Sequence, residues 1–344
     1  MTIIGHWKTL AEAQKLSLTQ MVTGIFPEVI EMGGLLPRIP GVQVTGTSLT
    51  WNRELSLPSA KFVDVHEQLT WDAESDYTQM EIVLKLVAKQ TPLDKFVEST
   101  YGSYNNYKAI QIQELRKGCT RTMEDKLIYG DTTYVASKEI DGWHAWAALN
   151  TGTDLDIDGG EGAHSLMNLR KMIDAMKMGC DILLMPYELG RRFDALAQEQ
   201  GVASFVGPWR IAATAQDMGK PVLFYDGVPI VRSDFMKAEQ ANTGGGSSYT
   251  TARGKYASGT KQYSIFGIKW GSGSPENPGV CLAWGNGGGD RPRAAGEVFS
   301  YTEFDKLEDY DASGVRLTAY LNTLVGSSKC IGRVHDITDA AITA

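Results

Sequence analysis

"YKAIQIQELRKGCTRTMEDKLIYGD", residues 107–131, is the longest helical pattern in the chain. Leu115, Cys119, Met123 and Leu127 recur every four residues with Ile112 beside them, so one face is apolar and the remainder polar. Arg121 and Asp125 stand at i, i+4, where opposite charges can pair. Gly130-Asp131 stops the run. The spacing predicts a helix over about 104–129, laid by one face on a sheet.

Upstream the rhythm changes from four to two. Leu49, Trp51, Leu55 and Leu57 alternate with polar residues, as do Val63, Val65, Leu69 and Trp71, and then Met80, Ile82, Leu84 and Leu86. "LPSA" at 57–60 fits a turn between the first two runs. The expectation is a long β-hairpin over about 46–78 and a returning strand. Thr91-Pro92 reads as the opening of a short helix, with proline at its first position. The first forty residues read as an arm. Thr9 with Glu12 makes a capping box, and Pro37 and Pro40 close the segment.

Downstream, from 165 to 232, the pattern is α/β. Ser165 caps a helix bearing Leu166, Leu169, Met172, Ile173 and Met176, and Gly179 ends it. "DILLM" (181–185) is a buried strand, and Pro186 starts a second helix with Leu189, Phe193 and Leu196 inward. "FYDGVPIVRSD" (224–234) is a hairpin turned by Asp226-Gly227, with Pro229 at a strand start or sheet edge. Residues 242–261 are a Gly/Ser-rich surface loop by composition. "QYSIFGIKW" and "GVCLAWG" resume β structure, and "GVRLTAYLNTLVGSSKCIGRVHDI" gives two final strands about a Gly326-Ser327-Ser328 turn.

The chain has 344 residues, 42% hydrophobic and 22% charged, which suits a folded protein of about two domains. Its net charge of −8 argues against a basic face gripping nucleic acid. The first twenty residues lack a basic start followed by an apolar run, so no export signal is expected. No window approaches a membrane helix. Cys119, Cys180, Cys281 and Cys330 form no CxxC pair and read as reduced, mostly buried thiols.

Chemical motifs are few. "GNGGGD" (285–290) fails the dinucleotide spacing, because Asp290 stands where the last glycine belongs. No GxSxG elbow is present. "DLDIDGGEGAHS" (154–165) starts like a calcium loop with Asp154, Asp156, Asp158 and Gly159, but its twelfth position is Ser165 and not glutamate. It reads better as an acidic edge strand before a capped helix. His144 and His164 lack the spacing of a metal pair. No catalytic, cofactor or metal site is expected.

The order of these segments resembles the Hong Kong 97-like major capsid proteins of tailed phages. The resemblance rests on "TLAEAQKLSL" (9–18), "WNRELSLPSAKFVDV" (51–65), the 107–131 helix and "YDGVPIVRSD" (225–234). It implies an α+β capsid fold with an N-terminal arm (1–45) and an extended loop (46–78). A peripheral domain (79–150 and 297–344) would carry the spine helix, and 151–296 would form the axial domain. It implies no enzyme, but a subunit that assembles with itself into pentamers and hexamers around double-stranded DNA. Implied partners are a separate scaffolding protein, a portal and a decoration protein. The implied place is the virion, after synthesis in the host cytoplasm. Some members crosslink lysine to asparagine between subunits. Lys61 lies in the loop, but no asparagine partner is identifiable and no crosslink is expected.

Charge distribution points the same way. Residues 53–81 carry seven acids against Arg53 and Lys61, whereas 108–126 carries five cations against three acids. An acidic loop and a more basic helix on each copy favour head-to-tail contacts. The expected subunit-contact residues are Trp51, Arg53, Glu54, Leu55, Lys61, Asp64, Glu67 and Trp71 on the loop, and Arg116, Lys117 and Arg121 on the helix. Two alternatives stay open: an encapsulin-like shell around protein cargo, and an α/β enzyme whose site carries no recognisable motif.

Overall fold

The four-residue spacing of Leu115, Cys119, Met123 and Leu127 produces the long helix expected of it, and all four side chains are buried. The computed structural model describes residues 35–58, 60–68, 76–101, 107–132, 138–199, 209–213, 221–240, 259–285, 298–308 and 310–343. The expected arm up to residue 34, Trp71 and the Gly/Ser-rich stretch 241–258 lie outside them.

In chain order the strands and helices begin with β1 (Gly41–Val44), β2 (Ser48–Glu54), β3 (Tyr77–Val83) and β4 (Lys85–Asp94). Helices α1 (Lys95–Tyr101), α2 (Tyr107–Tyr129) and α3 (Trp143–Ala148) follow. Then come β5 (Asp156–Gly162), α4 (Leu166–Ala175), β6 (Ile182–Met185), α5 (Tyr187–Glu199), β7 (Trp209–Ala213), β8 (Pro221–Tyr225) and β9 (Val228–Arg232). The chain ends through β10 (Glu239–Gln240), β11 (Lys261–Ile268), β12 (Val280–Gly285), β13 (Phe299–Phe304), β14 (Ala312–Val325) and β15 (Ile331–Ile337).

Two sheets organise these elements. A five-stranded sheet runs β1-β12-β14-β13, with β4 paired along the other side of β14. Helix α2 lies on β4 and β14, where Leu115 and Cys119 meet Leu93, Val315 and Leu317. An eight-stranded mixed sheet runs β5-β15-β11-β6-β9-β8-β7, with β10 on β11. Leu169 and Met172 of α4 and Leu189 and Phe193 of α5 share its core with Leu183, Ile265 and Val334. The largest core cluster joins the two sheets. Trp143, Ile182, Leu184, Phe266 and Ile268 pack there with Val280, Leu282, Ala319 and Leu321.

The structure departs from expectation in three places. Thr91 and Pro92 do not open a helix. They lie in β4, which pairs only with β14, and an edge strand tolerates the amide that proline lacks. Helix α1 starts three residues later, where the Asp94 carboxylate accepts from the amides of Phe96 (2.8 Å) and Val97 (3.3 Å) as an N-cap.

Over its described part, 63–68, the second arm of the predicted hairpin does not form, and Leu69 and Trp71 lie outside the described residues. Strand β2 pairs instead with β3, from Ser48↔Val83 to Glu54↔Tyr77. Residues 56–58 and 60–68 form no strand. Alternation at Val63 and Val65 does not suffice where the chain offers no surface to bury them. The last two strands also separate, since β14 lies in the five-stranded sheet and β15 in the eight-stranded one. The 297–344 grouping placed them together.

The 224–234 hairpin forms as read. Asp226 (φ 49°) and Gly227 (φ 80°) are both left-handed, the geometry of a two-residue hairpin turn matched to strand twist. Pro229 sits at the strand start, one residue before β9 begins to pair with β6 at Ile230. All four cysteines are free, and burial pushes Cys180 and Cys281 up to about 11.

Candidate functional site

The β2–β3 ladder fixes the base of the 46–78 loop. Beyond Glu54 it closes with the Leu55 amide donating to the Asp76 carbonyl (2.9 Å). Further out, the described residues 60–68 make a small local turn. The Glu67 carboxylate accepts from the Asp64 amide (2.9 Å) and pairs with Lys61 (3.2 Å), and these two contacts hold it below the usual carboxylate range. The Asp64 carboxylate accepts from the Val65 amide. Apolar side chains are left in solvent: Leu55 at 70%, Leu57 at 72%, Phe62 at 103% and Val65 at 82% exposure. Exposed apolar residues clustered on one projection mark a binding surface more often than chance scatter does.

Not every expected contact residue faces outward. Trp51 donates its indole N–H to the Gly326 carbonyl (3.2 Å). Arg53 donates to the carbonyls of Gly326 (3.2 Å) and Val325 (3.1 Å). Both tie the loop base to the turn between β14 and β15 in the same chain. Partial burial there lowers the Arg53 pKa. Glu54, Leu55, Lys61, Asp64 and Glu67 remain exposed.

On α2, Lys108 pairs with Glu303 and Lys126 with Glu139 (2.6 Å), so these cations are used within the chain. Arg116, Lys117 and Arg121 are exposed. Beside them an open groove of about 430 Å³ runs between β4 and α2, lined by Val87, Lys89, Thr91, Glu114, Leu115 and Cys119.

A buried polar network joins α3 to the eight-stranded sheet, and reading the sequence alone missed it. Arg333 makes a two-pronged bond to Asp156 (2.7 and 2.9 Å) and donates to His144 Nδ1 (3.2 Å). His144 Nε2 then donates to Glu239 (2.9 Å), which also accepts from Tyr129 (3.2 Å) and Ser264 (2.6 Å). An imidazole that accepts at Nδ1 and donates at Nε2 is neutral. The residues are nearly or fully enclosed, with His144 at 0% and Glu239 at 1% exposure, so the network has no route for substrate. Asp156 thus turns inward from what was read as an acidic surface strand, although β5 is an edge as expected. The signal was the match of D-x-D (156–158) to R-x-H (333–335), which become direct cross-strand partners.

His144 and His164 are not brought together. His164 lies against the Phe193 ring (centroids 5.4 Å apart) at 1% exposure, and neither ring nitrogen has a hydrogen-bond partner among the described residues. Burial pulls its pKa from 6.5 to about 4. The folded chain therefore keeps His164 neutral where the unfolded chain protonates it. Above pH 6.5 the group costs nothing. As pH falls towards 4 stability declines, by about 3 kcal/mol in all at roughly 1.4 kcal/mol per unit. Urea midpoints measured between pH 7.5 and 4 should show this fall, and His164→Phe should flatten it. An unchanged slope in that variant would assign the fall elsewhere.

No family profile matches the sequence, and no curated protein matches it. Solved structures do. The holo-SrpI encapsulin complex from Synechococcus elongatus PCC 7942 superposes with a TM-score of 0.66 at 14% identity, covering 98% of this chain and 98% of that one. The capsid of cyanophage P-SCSP1u gives 0.56 at 13% identity, covering 94% and 93%. The capsid of an empty GTA particle gives 0.56 at 12% identity, covering 96% and 98%. The two sheets, the long helix on the five-stranded one and the two-stranded loop make up the Hong Kong 97-like capsid fold.

Proposed function

We propose that this chain is the major subunit of a phage head. Copies gather in pentamers and hexamers and close an icosahedral shell around double-stranded DNA. The observation that carries this reading is a capsid fold shared over nearly the whole chain. The exposed apolar loop supports it, since its own chain leaves Leu57, Phe62 and Val65 uncovered.

In this reading the five-stranded sheet with α2 is the peripheral domain. The eight-stranded sheet is the axial domain around capsomer axes. The 46–78 loop reaches a neighbour, with Glu54, Asp64 and Glu67 facing cations such as Arg116 and Lys117. A net charge of −8 suits a wall that tolerates DNA without gripping it. A separate scaffolding protein, a portal and a decoration protein complete the head, and the subunit is made in the host cytoplasm. The chain has no catalytic role.

A second reading is a compartment around protein cargo, favoured by the 0.66 TM-score with an encapsulin. Electron microscopy of the purified protein, alone and with its scaffolding partner, should show closed particles. Particles purified from the producing cell should contain DNA. Protein cargo without DNA would select the compartment, and a folded monomer under every assembly condition would overturn both.

A further inference from the structure

The one part of the acidic 154–165 stretch left over by the shell reading is Asp158. Parallel pairing of β5 and β15 sets Asp158 directly opposite His335, next to the Asp156–Arg333 pair. The following residue would ordinarily point to the other face of the sheet. It does not, because the ladder slips between His335 and Ile337, and Asp336 there adopts a left-handed backbone (φ 57°). That bulge turns a second carboxylate toward the same imidazole, with Asp336 Oδ2 3.0 Å from His335 Nδ1. Ligand atoms of Asp158, His335 and Asp336 lie within 4.8 Å of one another.

We infer that Asp158, His335 and Asp336 form a binding site for a first-row divalent cation of the zinc class. One imidazole nitrogen and two carboxylates are a donor set for such an ion, with water filling the remaining positions. The arrangement also has the support such sites carry around them. With Nδ1 turned to the ion, His335 Nε2 faces Asp156 Oδ1 at 3.6 Å, and Asp156 is itself fixed by Arg333. A ligating histidine commonly directs its second nitrogen to a carboxylate in this way, which fixes the ring and its tautomer. Two ligands are held firm, since His335 and Asp336 are buried. The third, Asp158, is exposed and accepts from the Gly160 amide through Oδ1 alone, which leaves Oδ2 for the ion and gives it a path from solvent. Gly159 keeps that strand close, because any Cβ there would meet the carbonyls of His335 and Asp336 at 2.9 Å. The bound ion would clamp edge strand β5 onto β15 without involving the loop or any neighbouring copy.

Calorimetric titration of the unassembled full chain with ZnCl2, after dialysis against chelator, tests the site. One equivalent should bind per chain. Asp158→Asn should weaken it at least tenfold, whereas Asp154→Asn on the same exposed stretch should leave it unchanged. Cobalt substitution should give visible absorption bands from a nitrogen-containing site in the parent, and these should vanish in Asp158→Asn. Binding that survives Asp158→Asn unchanged, or no stoichiometric binding by the parent, overturns the assignment. Because Asp158 is a surface residue, the variant is expected to fold, and its melting curve without metal checks that.

Discussion

Arg333→Ala should lower the stability of the folded chain by about 3–5 kcal/mol, a large fraction of the roughly 5–15 kcal/mol that holds a domain folded. Arg333 is 3% exposed and Asp156 is 8% exposed, and their two bonds are the principal compensation for the buried carboxylate. Removing the guanidinium leaves Asp156 buried, with the Thr151 hydroxyl (3.0 Å) and the more distant His335 as its remaining side-chain partners among the described residues. In the parent, desolvation raises the Asp156 pKa, but bonds and charge from Arg333 outweigh it and the net shift is downward. Without Arg333 only the upward push and weaker partners remain. The variant should therefore be least stable at neutral pH and recover partly in mild acid as Asp156 takes a proton.

The cost belongs to the broken pair and not to the absence of charge. Arg333→Met with Asp156→Leu should recover most of the loss, because a well-packed apolar pair can replace a buried ion pair at little cost. Urea unfolding of the unassembled chain, followed by circular dichroism at pH 5 and pH 7, reads the parent and both variants. A single variant within about 1 kcal/mol of the parent would mean that water reaches Asp156 and that the network is not the sealed joint described above.

How the sequence carried the fold can be seen in individual elements. Helix α2 was legible because its apolar residues repeat with the helical period and have a sheet to lie on. The 226–227 turn was legible because Asp-Gly readily supplies two consecutive left-handed residues. The strand expected across 63–68 does not form, because alternation reports a face without saying what covers it, and this chain leaves Val63 and Val65 exposed. The parting of β14 from β15 turns on long-range pairing. Strand β15 finds β5 at a separation of 177 residues between Asp156 and Arg333, and no local period encodes that choice. The candidate contact residues divide by the same logic. Glu54, Leu55, Lys61, Asp64 and Glu67 stay exposed, whereas Trp51 and Arg53 are claimed by the carbonyls of Val325 and Gly326, which only the folded chain brings near.

Deleting Leu57–Lys61 should leave a folded subunit that assembles poorly or not at all. The base of the loop is secured independently of its tip, through the β2–β3 ladder and through Trp51 and Arg53 on the β14–β15 turn. None of the described residues of the tip contributes to the three core clusters. In the proposed shell its contribution would come from a neighbour, and magnitudes say which part of it would matter. Exposed ion pairs involving Asp64 or Glu67 are worth about 0–1 kcal/mol each. Covering a leucine, valine or phenylalanine yields roughly 1.5–3 kcal/mol apiece. Apolar burial should hold the loop down, while charge sets where it lands. The groove between β4 and α2, with Lys89 on its wall and Arg116 and Lys117 nearby, is the first place to look for it. Charge reversal at Glu67 alone should consequently change assembly little, and Phe62→Asp should impair it nearly as much as the deletion. Circular dichroism and thermal melting establish that each variant is folded, and light scattering with particle counting measures the shells. A deletion variant that assembles like the parent would rule out the loop as an intersubunit clamp. One that fails to fold would place the tip in the subunit's own core, contrary to the exposure of Leu57 and Phe62.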